Sequence, residues 1–304
     1  MNTSLLKNIC ETAGTSGFED RIRNLIISEL TKEKRSYTID NMGNLTVLIK
    51  GKNSAKKVML GAHMDEIGFI VTHIDDNGFL RFHTLGGFDP KTLTSQRVIV
   101  HGKKDLIGVM GSKPLHVMSA EEKNKVPKTT DFFIDMGMPK KEVEKYIQVG
   151  NPITRERAFI KMGDCFNCKS LDNRISVFIL LELIKQLKNP AFDVYAVFTV
   201  QEEVGIRGAN VATQEIQPDF GFGIDTTIAF DVPGAAAHDK ITELGKGVAI
   251  KIMDASTICD SRMVSFMKQT AIENKITWQN EILTAGGTDT SGIQRMTPGG
   301  SIAG

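Results

Sequence analysis

The stretch DVYAVFTVQEEVG, residues 193–205, joins a nearly continuous apolar run to two adjacent carboxylates, Glu202 and Glu203. Apolar runs of this kind are typical of parallel-sheet strands that helices cover on both faces. In open α/β sheets, ligands bind outside the carboxyl ends of the strands. The stretch therefore predicts an α/β domain whose sheet edge carries a ligand site next to this acidic pair.

Histidine and aspartate residues also follow two other predicted strands, and an aspartate lies at the start of a predicted helix. His63 and Asp65 follow the run VMLGA, Asp225 follows DFGFGI, and Asp172 opens the helical pattern LDNRISVFILLELIKQL. Carboxylates that converge on one edge repel one another unless a cation neutralises them. Histidine and carboxylate donors suit Zn²⁺, Co²⁺ or Mn²⁺, and a bridging aspartate allows two ions. We therefore expect a metal site here, although Asp172 alone could also be a helix cap.

The spacing of these residues suggests separate roles for them. Successive side chains leave a strand in different directions, so one member of the Glu202–Glu203 pair can bind a metal while the other acts as a general base. Asp65 lies two residues beyond His63, and this spacing suits a carboxylate that holds the imidazole ring in place.

The middle of the chain has a different pattern. From about residue 68 to residue 162, short β-like runs alternate with turn residues, which indicates a small all-β module. We predict a mixed central sheet flanked by helices, formed by residues 1–67 and 163–304, with residues 68–162 as an inserted β-rich, barrel-like domain. The tetrapeptide GGTD, residues 286–289, predicts a glycine turn that either lines a substrate pocket or only closes a loop.

Composition excludes several classes of partner. The 304 residues carry a net charge of +1, which gives no electrostatic reason to expect nucleic acid or a membrane surface. No apolar run approaches the length of a membrane span or a signal peptide. The cysteines are too few for a disulfide framework, and Cys165 and Cys168 lack nearby partners for a structural zinc site, so we expect inert thiols in a reduced, cytoplasmic protein.

Several short blocks follow one another along nearly the whole chain: GAHMDEIGFIV, IGVMGSKPLH, DFFIDMG, KSLDNR, TVQEEVGIRGA, LGKG and GGTD. In this order they resemble the tetrahedral (TET) metallo-aminopeptidases, a glutamyl and leucyl aminopeptidase-like family whose members are sometimes labelled endoglucanases. Matched blocks in order are more specific than any single block. The resemblance implies a di-metal α/β domain with an inserted β-rich dimerisation domain, in agreement with the division proposed above.

The resemblance also implies roles for the candidate residues. It implies four metal ligands: His63, Asp172, Glu203 and Asp225. Asp172 would bridge two divalent ions, either Zn²⁺ or Co²⁺ with Mn²⁺ as an alternative. Glu202 would be the general base, and Asp65 would orient His63. The implied reaction is removal of N-terminal residues from short peptides by a homo-oligomer built from dimers, such as a dodecamer.

The chain departs from the family pattern at its end. The family completes its second metal site with a histidine near the C-terminus, whereas no histidine follows His238 here. The resemblance therefore predicts a chain truncated before the family's last strand and helix, with doubtful activity in the 304-residue form. The alternatives are a non-catalytic subunit that acts through its β module, a site completed by His238, and glycoside hydrolysis by a carboxyl pair.

Overall fold

The computed structural model describes all residues from Met1 to Gly304. Two compact units divide the chain between them. The barrel unit consists of residues 1–22 and 65–171, and the sheet unit consists of residues 23–64 and 172–304. The assignment of residues 68–162 as an inserted dimerisation domain stays a prediction.

The bounds of the elements are as follows. The α-helices are α1 (Thr3–Glu11), α2 (Asp20–Lys32), α3 (Ala120–Lys123), α4 (Lys140–Val143), α5 (Leu171–Gln186), α6 (Arg207–Ile216), α7 (Ser261–Glu273) and α8 (Asp289–Arg295). The strands are β1 (Thr38–Ile39), β2 (Leu45–Ile49), β3 (Asn53–His63), β4 (Gly68–Ile74), β5 (Leu80–Leu85), β6 (Arg97–His101), β7 (Asp105–Ser112), β8 (Phe132–Asp135), β9 (Pro152–Arg155), β10 (Ile160–Met162), β11 (Cys165–Asn167), β12 (Phe192–Thr199), β13 (Phe220–Gly223), β14 (Val248–Met253), β15 (Trp278–Ile282) and β16 (Ile302–Ala303).

The sheet unit is built on a six-stranded mixed sheet with the order β1-β2-β12-β3-β13-β16. β12, β3, β13 and β16 run parallel to one another, whereas β2 pairs antiparallel with β12. Most of β12 is buried, as expected for a strand covered on both faces. Because Thr199 of β12 pairs with His63 of β3, the carboxyl ends of these strands lie at the same edge. The predicted α/β class is confirmed.

Two glycines allow α8 to lie directly against β13. A Cβ atom at Gly221 would lie 2.1 Å from Cγ2 of Ile293, and one at Gly223 would lie 2.2 Å from Oγ1 of Thr290. Contacts this short exclude any larger residue unless the helix moves away. The close packing brings Asp289, the first residue of α8, to the last residue of β12, where Thr199 Oγ1 donates a hydrogen bond to its carboxylate.

The barrel unit contains a closed barrel of six strands in the order β4-β5-β8-β7-β6-β9. All neighbouring strands in it are antiparallel, and closure leaves no edge unpaired. Aromatic rings fill part of the interior: Phe69 stacks on Phe88 at 4.3 Å between centroids and meets Phe82 edge-on at 5.0 Å. The predicted β-rich, barrel-like module is confirmed.

Some elements differ from the sequence prediction. The helix expected over PKKEVEKYI is shorter, since only Lys140–Val143 are helical. β14 and β15 form a separate two-stranded parallel sheet and do not join the central one. The sequence analysis does not predict the helices α6 and α8. Each is short and follows a glycine-containing turn, so its apolar spacing does not indicate a helix clearly. None of the helices combines the length and apolar content that a membrane span requires.

Candidate active site

The predicted ligands meet at the carboxyl edge of the central sheet. His63 is the last residue of β3, and Glu202 and Asp225 lie just beyond β12 and β13, the strands on either side. Asp172 lies at the start of α5, where its backbone and that of Asn173 are not yet helical. The sheet order therefore brings together residues that are far apart in the sequence.

The His63 imidazole is the centre of this group. Its Nε2 atom lies 3.3 Å from Oδ1 of Asp172, 3.8 Å from Oδ1 of Asp225 and 3.9 Å from Oε2 of Glu202. The ring itself is buried, whereas the Asp172 side chain is 62% exposed. One atom from each of His63, Asp172 and Asp225 lies within 4.8 Å of the other two, so a single ion could contact all three.

A turn after β12 sets the directions of the two glutamates. The backbone N–H groups of Gly205 and Ile206 both donate to the carbonyl oxygen of Glu202. Both glutamates line a cavity of about 470 Å³ whose wall also contains His63, Asp172 and Asp225. Glu202 is therefore close to His63. Glu203, the next residue of the turn, lines the same cavity. The division of the pair into a metal ligand and a general base stays a prediction.

The electrostatics of the cavity favour a bound cation. Burial raises the pKa of the Glu202 carboxyl to about 9; His63 opposes the shift, and nearby carboxylates add to it. Burial likewise raises the pKa of the Asp225 carboxyl to about 7, again against the effect of His63. Carboxyls held together away from water resist ionisation unless a positive charge compensates them. An imidazole with several carboxylates is also the donor set that Zn²⁺, Co²⁺ and Mn²⁺ accept, so the residues fit a divalent ion.

Asp289 is a buried carboxylate of this region that the sequence analysis missed. It belongs to GGTD, which predicts a glycine turn that either lines a substrate pocket or only closes a loop, and its side chain is almost fully buried. Its negative charge contributes to the raised pKa values of both Glu202 and Asp225. The available signal was an aspartate at the start of a helix that follows a glycine pair, which is a common helix N-terminus.

The two remaining sequence candidates lie in different settings. Asp65 is fully buried, and its Oδ2 atom accepts a 2.6 Å hydrogen bond from Ser16 within the barrel unit. Its role in orienting His63 stays a prediction. The side chain of His238 is 87% exposed, and His238 is not among the residues that line the cavity. The structure therefore gives no support to His238 as a ligand.

A family profile and two relatives match most of the chain. The profile of the M42 glutamyl aminopeptidase family matches residues 43–303. A putative aminopeptidase of Acetivibrio thermocellus is 38% identical over 99% of this chain and 88% of its own length. The lysyl aminopeptidase of Pyrococcus furiosus is 34% identical over 91% of this chain and 80% of its own.

A solved structure has a similar fold. The TET1 peptidase of Pyrococcus horikoshii, which can assemble into a tetrahedron or a large octahedral shell, superposes with a TM-score of 0.85. It is 33% identical, and the match covers 99% of this chain and 89% of that one. The family is one of metal-dependent hydrolases that act on peptide bonds. The chain belongs to the M42 glutamyl aminopeptidase family.

Proposed function

We propose that His63, Asp172 and Asp225 hold a divalent ion at the centre of a peptide-hydrolysing site. The observation that carries this proposal is the position of both aspartate oxygens within 4 Å of His63 Nε2. Three protein donors with an open position are the usual arrangement of a catalytic zinc site. The exposed Asp172 would bridge to a second ion held by Glu203, and Zn²⁺, Co²⁺ or Mn²⁺ would suit these donors.

The protein residues divide the chemical work between them. A divalent ion, when bound, polarises a carbonyl oxygen and lowers the pKa of a water molecule. Glu202 accepts a proton from the attacking water and returns it to the leaving amine, which is the role of a general base and acid. The buried ring of His63 and the short turn at Gly205 hold the reacting groups in fixed positions, so little ordering is needed at the moment of reaction. Asp65 would keep the His63 ring oriented.

The substrate proposed for this cavity is the N-terminal end of a short peptide. A cavity of about 470 Å³ accommodates a terminal residue and its neighbour, but not a folded chain. The cavity wall also includes Ile206, Ile228 and Leu283, which offer apolar contact to a side chain. The acidic groups would attract the positively charged α-amino group that marks the end of a peptide.

The experiment for this proposal is release of free amino acids from short synthetic peptides. We expect stepwise loss from the N-terminus, abolition by EDTA, and recovery with Zn²⁺, Co²⁺ or Mn²⁺. Peptides with an acetylated N-terminus serve as the matched control and should resist cleavage. Equal cleavage of blocked and unblocked peptides, or full activity after complete metal removal, would overturn the proposal.

We propose in addition that the chain assembles into a homo-oligomer through its barrel unit. The outward face of β7 presents Ile107 at 60% and Val109 at 44% exposure. Leu115, Val117 and Val126 follow on the same unit and are more exposed still. Several strongly exposed apolar side chains on one unit are a candidate interaction surface. The assembly of the Pyrococcus horikoshii relative supports self-association, without indicating which unit mediates it.

A further inference from the structure

Two cysteines of the barrel unit, Cys10 and Cys168, lie side by side and have no role in the site described above. Cys10 is in α1 and is fully buried, whereas Cys168 follows β11 and is half-buried. The Cys168 Sγ atom lies 3.5 Å from the main-chain carbonyl oxygen of Cys10. That carbonyl also accepts a 2.6 Å hydrogen bond from Ser170 Oγ. The two backbone segments are therefore held side by side at this point.

The surroundings of Cys168 favour its thiolate. A hydrogen bond from the Cys10 side chain is the largest cause that lowers the pKa of the Cys168 thiol, to about 6. Backbone N–H groups of Ser170 and Lys169 and the Lys169 ammonium act in the same direction, against the effect of burial. Reactive cysteines are partly exposed and lie in electropositive surroundings, as Cys168 does. The 3.5 Å approach of Cys168 Sγ to the Cys10 carbonyl also shows that the two cysteines are adjacent in space.

We propose that Cys168 and Cys10 form a peroxide-sensitive thiol pair that closes to a disulfide. The Cys168 thiolate attacks a peroxide oxygen, so that an S–O bond forms, the O–O bond breaks and hydroxide leaves. Cys168 thereby loses two electrons to the peroxide and becomes a sulfenic acid. The Cys10 sulfur then attacks the Cys168 sulfur, the S–S bond forms, and the sulfenic oxygen leaves as water with the proton of Cys10. The product ties α1 to the segment that leads into α5.

The other cysteines provide internal references. Cys259 is buried, and burial raises the pKa of its thiol to about 11, so it should react far more slowly. Cys165 is exposed on the β10–β11 hairpin and is the competing partner, because it lies near Cys168 in the sequence. Cys259 therefore serves as the reference for the rate of oxidation. Cys165 serves as the reference for the choice of disulfide partner.

The test treats the reduced full-length chain with hydrogen peroxide at neutral pH, alkylates the remaining thiols under denaturing conditions, and maps the peptides by mass spectrometry. We expect a peptide linking Cys10 to Cys168, with loss of Cys168 at least about ten-fold faster than loss of Cys259. A mixture of unlabelled and ¹⁵N-labelled chains should give no mixed-label linkage if the bond is intramolecular.

Two variants keep the result decisive. In Cys165→Ser the Cys10–Cys168 linkage should form as in the parent chain. In Cys10→Ala the linkage should be absent, and dimedone should trap the Cys168 sulfenic acid instead. The proposal is overturned if Cys168 pairs with Cys165, if the linkage joins separate chains, or if Cys168 and Cys259 oxidise at the same rate. Failure of peptide hydrolysis has no bearing on this readout.

Discussion

The Nε2 atom of His63 lies 3.3 Å from Oδ1 of Asp172, although the two residues come from different parts of the sequence. One side chain is buried at the end of a central strand, and the other is 62% exposed at the start of a helix. A buried, fixed donor facing an exposed carboxylate suits an ion that must be reached by substrate. The other predictions about the site depend on this contact.

Asp172→Asn should lower the metal content of the purified protein. The amide keeps the shape of the side chain but loses its negative charge, so it is a weaker donor for a divalent ion. We expect the affinity for the metal to fall at least about ten-fold, because a loss of this size already follows the mutation of residues that only hydrogen-bond to a metal ligand. Elemental analysis after dialysis against a defined metal concentration measures this.

Asp164→Asn is the matched control for that variant. Asp164 is exposed in the turn between β10 and β11, and its substitution should leave the metal content unchanged. Unchanged stoichiometry in Asp172→Asn would leave Asp172 with no more than a structural role at the start of α5.

Breaking the buried ion pair between Lys169 and Glu66 should strongly destabilise the fold. The two side chains are 4% and 1% exposed, and Glu66 also accepts a hydrogen bond from the backbone N–H of Gly14. Lys169→Met removes one partner and leaves a buried carboxylate, which costs about 3–5 kcal/mol. Urea unfolding at neutral pH measures the loss.

A surface pair offers the comparison. Lys125 and Glu121 form an ion pair whose side chains are 65% and 79% exposed. Lys125→Met should change the free energy of unfolding by less than about 1 kcal/mol, because exposed pairs contribute little. Equal effects of the two Lys→Met substitutions would contradict the importance of burial at Lys169.

The Arg21–Asp105 pair should make stability depend on pH in acid. A hydrogen bond from Arg21 lowers the pKa of the Asp105 carboxyl to about 2, below the roughly 3.9 of an unfolded aspartate. A depressed carboxyl pKa adds stability that is fully present above the unfolded value and is lost as pH falls through the folded value. The contribution is small because both side chains are largely exposed.

Comparison with Asp105→Asn isolates this effect. The difference in thermal midpoint between parent and variant should be largest above pH 5 and should disappear as the pH approaches 2. It should also shrink at high salt, since the pair is exposed. A difference that stays constant from pH 6 to pH 2 would show that the carboxylate charge is not responsible.

Ile107→Glu should weaken self-association without unfolding the barrel. The side chain points outward from β7, so a charge there disturbs the surface but not the core. Multi-angle light scattering should show a smaller species than the parent chain. Ile272→Glu, at a similarly exposed position on α7, is the control. If only the control dissociates, the interface belongs to the sheet unit.

Much of the sheet unit could be predicted from local patterns. β12 is a buried strand because its apolar run is nearly continuous, and the residues that follow it reach the carboxyl edge for topological reasons. The barrel followed from short alternating runs. In contrast, α8 has only seven residues and begins after two glycines, so it is too short to show a helical spacing of apolar residues.

Long-range contacts were beyond the sequence analysis. Asp289 lies beside the last residue of β12 because Gly221 and Gly223 let α8 pack closely on β13. The local sequence around Cys168 predicts an inert thiol, because nothing in it indicates that Cys10 lies beside it. The residues that follow strands could be assigned to the site because sheet topology fixes where strands end.

The most direct measurement is turnover and metal content of Glu202→Gln in parallel. The amide fills the same space in the cavity but accepts no proton, so kcat for an amino-acid p-nitroanilide should fall by about 10² to 10⁴. Metal content should equal that of the parent chain, and so should the activity of the control variant Glu215→Gln, which alters an exposed residue of α6. Near-parental turnover in Glu202→Gln with the metal retained would contradict the account, because a different group would then have to serve as the general base.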